Sequence, residues 1–212
     1  MAPATTDSPR PRAAHLGPER RRPLVLDAAL REFVKHGYRG TSMEAIAEAA
    51  GVSKPVVYEC YPSKEKLFRA LLEREERKLG EAVAAALPTS PNFEDVEAVL
   101  AEGLTALLSA AAATPLSWRV VFDAEHGGDR AVLKRVLRAR AQITEQLTQL
   151  VALFLAQAGT EEPERKAPVL AELLAATGRT SVRVLLDSRD EWTPEELGAL
   201  VARVVARGAQ AA

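Results

Sequence analysis

An all-α fold of about nine helices, opening with a helix-turn-helix, is predicted by three observations. Beyond the first 17 residues, apolar side chains recur at three- and four-residue spacing. No segment sustains the period-two alternation of β-branched residues that a half-buried strand needs. Glycine, proline and short polar residues stand where helix ends belong. At 212 residues the chain is large enough for one or two domains with an unstapled core. Its composition, 47% apolar and 27% charged, is that of an ordinary globular protein.

Five of the 13 prolines fall in the first 23 residues, with arginines and almost nothing to bury. Residues 1–17 therefore read as a disordered tail. They contain no apolar stretch of the kind a secretory signal requires, so a cytoplasmic protein is expected. The first helix follows, with Leu26, Leu30, Phe33 and Val34 on one side and Gly37 expected as a left-handed C-terminal cap. Thr41-Ser42-Met43-Glu44 reads as a capping box that starts a second, short helix, which ends at Gly51. Ser53 is expected to cap a third, carrying Pro55 in its first turn. Ser63 opens a fourth, with Leu67, Phe68, Leu71, Leu72 and Leu79 along it.

Pro88 to Pro91 interrupts the pattern, and Asn92 precedes a fifth helix that runs to about Ala113. Thr114-Pro115 opens a sixth through Trp118 and Phe122, with Gly127-Gly128 as its end. A long seventh runs from Leu133 through Phe154 to Gly159. Residues 163–187 and 194–207 supply two more. The last carries Leu197, Leu200, Val201, Val204 and Val205 on one face behind the capping box of Thr193 and Glu196. The best membrane-span candidate, Leu104 to Leu116, is broken by Ser109, Thr114 and Pro115, so no membrane association is expected. Three regions result: the tail 1–17, a helix-turn-helix domain 18–80, and a second helical domain 81–212.

The net charge of −1 conceals an asymmetry. Residues 1–80 carry 15 Lys/Arg against 11 Asp/Glu, a net +4, whereas residues 81–212 carry 13 against 18, a net −5. A polyanion partner is thus expected for the front end only. The segment from Thr41 to Tyr58 has the grammar to meet one. Ala47 is small enough for two helices to approach, Gly51 permits the turn between them, and Ile46, Val52 and Val57 form the small core that sets their crossing. The helix after the turn then exposes its first residues to a major groove.

The stretch RRPLVLDAALREFVKHGYRGTSMEAIAEAAGVSKPVVYECYPSKEKLFRALL, from Arg21 to Leu72, resembles the DNA-binding domain of tetracycline-repressor-like (TetR family) transcription regulators. Its landmarks are DAALREF, the HGY turn, TSMEAIA, AGVSK, Tyr58 and PSKEKLF, in that order and spacing. The closing TPEELGALVARVVARG is similar to the family's last dimerisation helix. The resemblance implies DNA contacts from Thr41, Ser42, Ser53, Lys54, Pro55, Val56, Tyr58 and Lys64. Within that set, Thr41, Tyr58 and Lys64 correspond to phosphate-contacting positions. Ser53, Lys54, Pro55 and Val56 correspond to those facing base edges. Lys54 can donate to guanine O6 or N7, and Pro55 and Val56 can pack on a thymine methyl. Many relatives carry small or glycine–threonine residues where this chain has Pro55-Val56, so their DNA preferences do not transfer.

The resemblance further implies a homodimer on a palindromic operator of double-stranded DNA, with half-sites about one helical turn (~34 Å) or somewhat more apart. It implies a small-molecule effector held in the second domain, where Trp118, Phe122 and Phe154 are candidate pocket residues or simply core. Repression is the expected sign, an activator or a non-inducible regulator of the same fold the alternative, and a helical adaptor a third reading.

Nothing in the chain calls for a cofactor or a catalytic role. The single cysteine, Cys60, rules out an internal disulfide and reads as a small core residue rather than a redox sensor. His126 lies beside Asp123 and Glu125 without a second histidine or cysteine, and His15 and His36 complete no site, so no metal is expected. No nucleophile–histidine–carboxylate order and no phosphate-cradling glycine loop appear, so the protein is not expected to be an enzyme.

Overall fold

The computed structural model describes residues 17–88, 94–125, 130–188 and 191–210. Among them are nine α-helices and no strand: α1 (Pro18–Gly40), α2 (Met43–Ala50), α3 (Lys54–Cys60), α4 (Lys64–Ala86), α5 (Val96–Ala113), α6 (Pro115–Glu125), α7 (Arg130–Gln157), α8 (Pro163–Asp187) and α9 (Pro194–Gln210). The expected tail (Gly17 apart), Asn92, His15, His126 and Gly127-Gly128 lie outside the described residues. The chain forms two compact units that divide at Leu71/Leu72, inside α4.

The first unit is held by one small core. Val25, Ala28, Ala29 and Phe33 from α1 meet Ile46 and Ala47 from α2, Val57 and Cys60 from α3, and Leu67 and Leu71 from the start of α4, all with almost no exposed surface. Each large aliphatic side chain buried this way contributes roughly 1.5–3 kcal/mol of transfer free energy. Phe33, Tyr38 and Phe68 add an aromatic cluster with ring centroids 4.8–5.8 Å apart.

Two expected caps take a different form. Gly37 has φ 70° and ψ 169°, a positive-φ conformation that favours glycine but lies outside the left-handed helical region, so it kinks α1, and the helix runs on to Gly40. At α2 the N-cap is Ser42, whose hydroxyl accepts from Ala45 N at 3.1 Å. The capping box read from Thr41 and Glu44 does not form. Thr41 is buried, with its hydroxyl 2.8 Å from Gly37 O and 3.1 Å from Glu32 O, and Glu44 pairs elsewhere.

In the second unit α5 packs most extensively against α9, and α7 against α8. The α5–α9 approach depends on Gly198, where a Cβ would lie 2.6 Å from Thr105 Oγ1 and 3.1 Å from its backbone nitrogen. Val151, Leu155, Ala167 and Ala171 form the α7–α8 core. Asp95 caps α5 by accepting from Ala98 N at 2.9 Å, so the start lies three positions beyond the expected Asn92. Gly159 (φ 67°) follows α7 as expected. Thr193 and Glu196 form the reciprocal capping box of α9.

The expected single apolar face of α9 divides in two. Leu197, Ala202 and Ala206 are buried, whereas Leu200 is 37% and Val204 66% exposed. On α8, Val169 and Leu173 are likewise exposed, at 62% and 59%. α5, with a mean hydropathy of 1.5 over 18 residues, is long and apolar enough to cross a membrane by length and composition alone, a match the reading of Leu104 to Leu116 missed. It is nonetheless one of the packed helices of this unit.

Among the described residues, one ionisable side chain is fully buried. Glu75 on α4 accepts from Ser117 Oγ of α6 at 2.6 Å and from Arg74 Nε at 2.5 Å, with Lys78 Nζ at 3.3 Å. A carboxylate so placed needs each of these donors, because burial without them is costly.

Candidate functional site

The turn between α2 and α3 is built by Gly51. At φ 67° and ψ 29° it adopts the left-handed conformation that only glycine reaches without strain, and its N–H returns to Ala47 O and Glu48 O. Val52 N adds a bond to Ala47 O at 3.0 Å. Val57 and Cys60, buried on one side of α3, fix which residues face outward. Those are Ser53, Lys54, Pro55, Tyr58 and Glu59, with Val56 half-buried.

Ser53 occupies the N-cap position of α3, yet its hydroxyl makes no capping bond, contrary to the expectation. The N-terminal amides use its carbonyl instead, with Val56 N at 3.0 Å. An exposed hydroxyl is therefore left over at the tip of the helix. Lys54 forms an ion pair with Glu44 of α2. That contact raises the lysine's pKa and lowers the glutamate's, so both stay charged near neutral pH. The ammonium also lies 5.8 Å from the centroid of the Tyr58 ring, and Tyr58 itself is 41% exposed.

Lys64, at the first position of α4, donates to Tyr38 O and Thr41 O, both at 2.9 Å, and stands 4.7 Å above the Tyr38 ring. Two of its three ammonium hydrogens are thus used in closing the turn after α1, leaving one for an outside acceptor. Tyr38 and Glu44 are the residues that sequence reasoning passed over. A tyrosine directly after Gly37 and a glutamate in the first turn of α2 carried too little signal on their own.

The second unit holds a cavity of about 1200 Å³. Trp118, Phe122 and Phe154 all line it, and Trp118 is also nearly buried, 5.9 Å from Phe122 ring to ring. One side is formed by Val99, Leu100, Leu104 and Leu107 of α5. α5 carries a signal that went unread: Glu97 and Glu102 are its only charged residues, yet only Leu108 and Ala111 are fully buried in it. Among the described residues no cluster of three or more His, Cys, Asp or Glu is placed to hold a metal ion.

Two short helices crossing at a glycine turn, with the second presenting its first turn to solvent, define a helix-turn-helix protein. Residues 25–71 match the family model described as "Bacterial regulatory proteins, tetR family". The chain is 30% identical over 141 residues to the HTH-type transcriptional activator FasR of Mycolicibacterium smegmatis, covering 66% of this chain and 63% of FasR. It is 43% identical over 53 residues to the HTH-type transcriptional repressor ComR of Escherichia coli K12, a quarter of each chain. A TetR-like transcriptional regulator from Rhodococcus sp. RHA1 superposes with a TM-score of 0.72 at 26% identity, over 93% of this chain and all of the other. Residues 25–71 are thus a tetR-family DNA-binding domain, and the chain as a whole is similar to TetR-family transcriptional regulators. It spans less than two thirds of the length of the curated relatives it matches.

Proposed function

We propose that this chain is a cytoplasmic, ligand-responsive regulator that binds a palindromic operator as a homodimer and represses transcription until a small-molecule effector releases it. The observation that carries the reading is the outward face of α3, where Ser53, Lys54, Pro55 and Tyr58 are exposed behind a buried Val57 and Cys60. Lys54 reads a base edge after exchanging Glu44 for it, and Pro55 and Val56 contact a thymine methyl. Ser42, Tyr58 and the remaining hydrogen of Lys64 reach phosphates, which fix register without reading sequence. Thr41, with its hydroxyl directed at backbone carbonyls, serves by holding the turn in place.

The apolar residues left exposed on α8 and α9 supply the contact between two copies, so that a two-fold protein meets a two-fold site. Trp118, Phe122 and Phe154 belong to the effector pocket. A catalytic role and a bound cofactor have no place in this reading. Activation is the second reading, favoured because the alignment with the activator FasR extends well beyond the helix-turn-helix.

Fluorescence anisotropy with a duplex from the region upstream of the chain's own reading frame tests the proposal. Binding should weaken steeply with salt, by about 0.9 logarithmic units per tenfold rise in salt for each phosphate neutralised. Salt-independent binding, or none to any duplex, would overturn it. A reporter behind the bound site separates repression from activation by the direction of its response.

A further inference from the structure

We infer that the cavity of the second unit binds an amphipathic anion, an apolar chain or ring system ending in a negatively charged head group, with Arg77 and Arg138 facing the head. This deepens the effector reading above and rests on it. The volume of about 1200 Å³ exceeds the roughly 300–1000 Å³ of ordinary small-molecule pockets. Most of its wall is aliphatic or aromatic. The threonine hydroxyls that do reach it are already donating: Thr177 to Leu173 O at 2.8 Å and Thr144 to Glu172 Oε2 at 3.3 Å. A sugar or nucleoside would lose its hydrogen bonds to water across this wall, where Gln142 and Gln146 are the remaining uncharged polar side chains that could replace them, an expensive exchange.

The charges lining the cavity point the same way. Arg179 is paired with Glu172 at 3.8 Å, and Glu73, Glu76 and Arg140 have interactions of their own. Arg77 and Arg138 are exposed, and neither makes an ion pair with a described residue. Uncommitted guanidinium groups in contact with solvent can meet an anion without desolvating it fully, while the apolar body goes inward.

The test uses the full chain with Trp192→Phe, so that Trp118 is the remaining tryptophan and reports on the cavity. Octanoate, dodecanoate and hexadecanoate, with hexadecan-1-ol as the uncharged control, are titrated below their micellar concentrations. Affinity should rise about fourfold per added methylene until the chain fills the space. At low salt hexadecanoate should bind about tenfold or more tighter than the alcohol, a difference of ~1.4 kcal/mol. Arg77→Gln with Arg138→Gln should reduce that ratio towards one and leave the alcohol unchanged. Val99→Phe with Leu104→Phe, which narrows the apolar part of the cavity and adds no second tryptophan, should weaken both.

Equal affinity for acid and alcohol, a ratio untouched by the arginine changes, affinity independent of chain length, or binding unaltered by Val99→Phe with Leu104→Phe would each overturn the inference. Absence of binding by every probe would do so as well. Duplex binding is measured on the same preparation. If it persists while no alkanoate binds, this inference alone fails; if alkanoate binds without any duplex affinity, the ligand assignment stands and the regulator reading fails.

Discussion

Lys54 illustrates how little a residue's stability role says about its function. Its pair with Glu44 is solvent-exposed on both sides, and such pairs contribute little to folding. Lys54→Ala should therefore leave the melting temperature nearly unchanged. In a binding selection the same change should relax discrimination at one base position per half-site, by about 1–3 kcal/mol. An unaltered preference would remove Lys54 from the readout. Cys60 makes the opposite case. Burial pushes its thiol above the ordinary value of 9.0, so less thiolate is present at neutral pH and alkylation by iodoacetamide should be slower than for free cysteine, becoming fast on unfolding. With the folded-state value raised, its stabilising share is present at and below the ordinary thiol range and declines as pH rises beyond it. Fast alkylation of the folded protein would contradict the burial and reopen a redox role.

At the scale of the element, the closest approach in the second unit is between α5 and α9. Gly198→Ala should destabilise the protein by about 1–3 kcal/mol, because the added methyl would meet Thr105 backbone as well as its hydroxyl. Denaturant melts check it, and an unchanged midpoint would mean the two helices separate freely. Helix existence was legible in the sequence wherever apolar period and punctuation agreed, as in α8 and the capping box of α9. The ends were less so. Whether Thr41 or Ser42 capped α2 depended on Thr41 being drawn towards the Gly37 and Glu32 carbonyls, a tertiary contact that local sequence does not encode. The α9 face was read as one stripe because periodicity reports apolarity. It does not say which apolar residues meet α5 and which are left outside. The helix-turn-helix was legible down to Gly51, since a positive φ leaves a residue-type signature. The Lys54–Glu44 pair left none, because surface charges have many alternative partners.

At the scale of the molecule, the account requires two copies. Val204, 66% exposed on α9, and Leu173, 59% exposed on α8, are the apolar residues a symmetry mate would cover. Val204→Glu should leave helix content intact by circular dichroism, shift sedimentation to a monomer, and weaken operator binding far more than it weakens the binding of a single half-site. A dimer that survives the change would place the interface elsewhere. The cavity behind α5 adds a second requirement, since an effector can release DNA only if it binds the DNA-bound and free conformations with different affinity.

Selection of bound duplexes from a randomised pool bears most directly on the claim that α3 is presented to DNA as one of a matched pair. Enrichment of an inverted repeat whose half-sites lie about one helical turn (~34 Å) or more apart is expected, with one position losing its preference in Lys54→Ala. A pool that stays random, or a single unrepeated motif indifferent to Lys54, would contradict it.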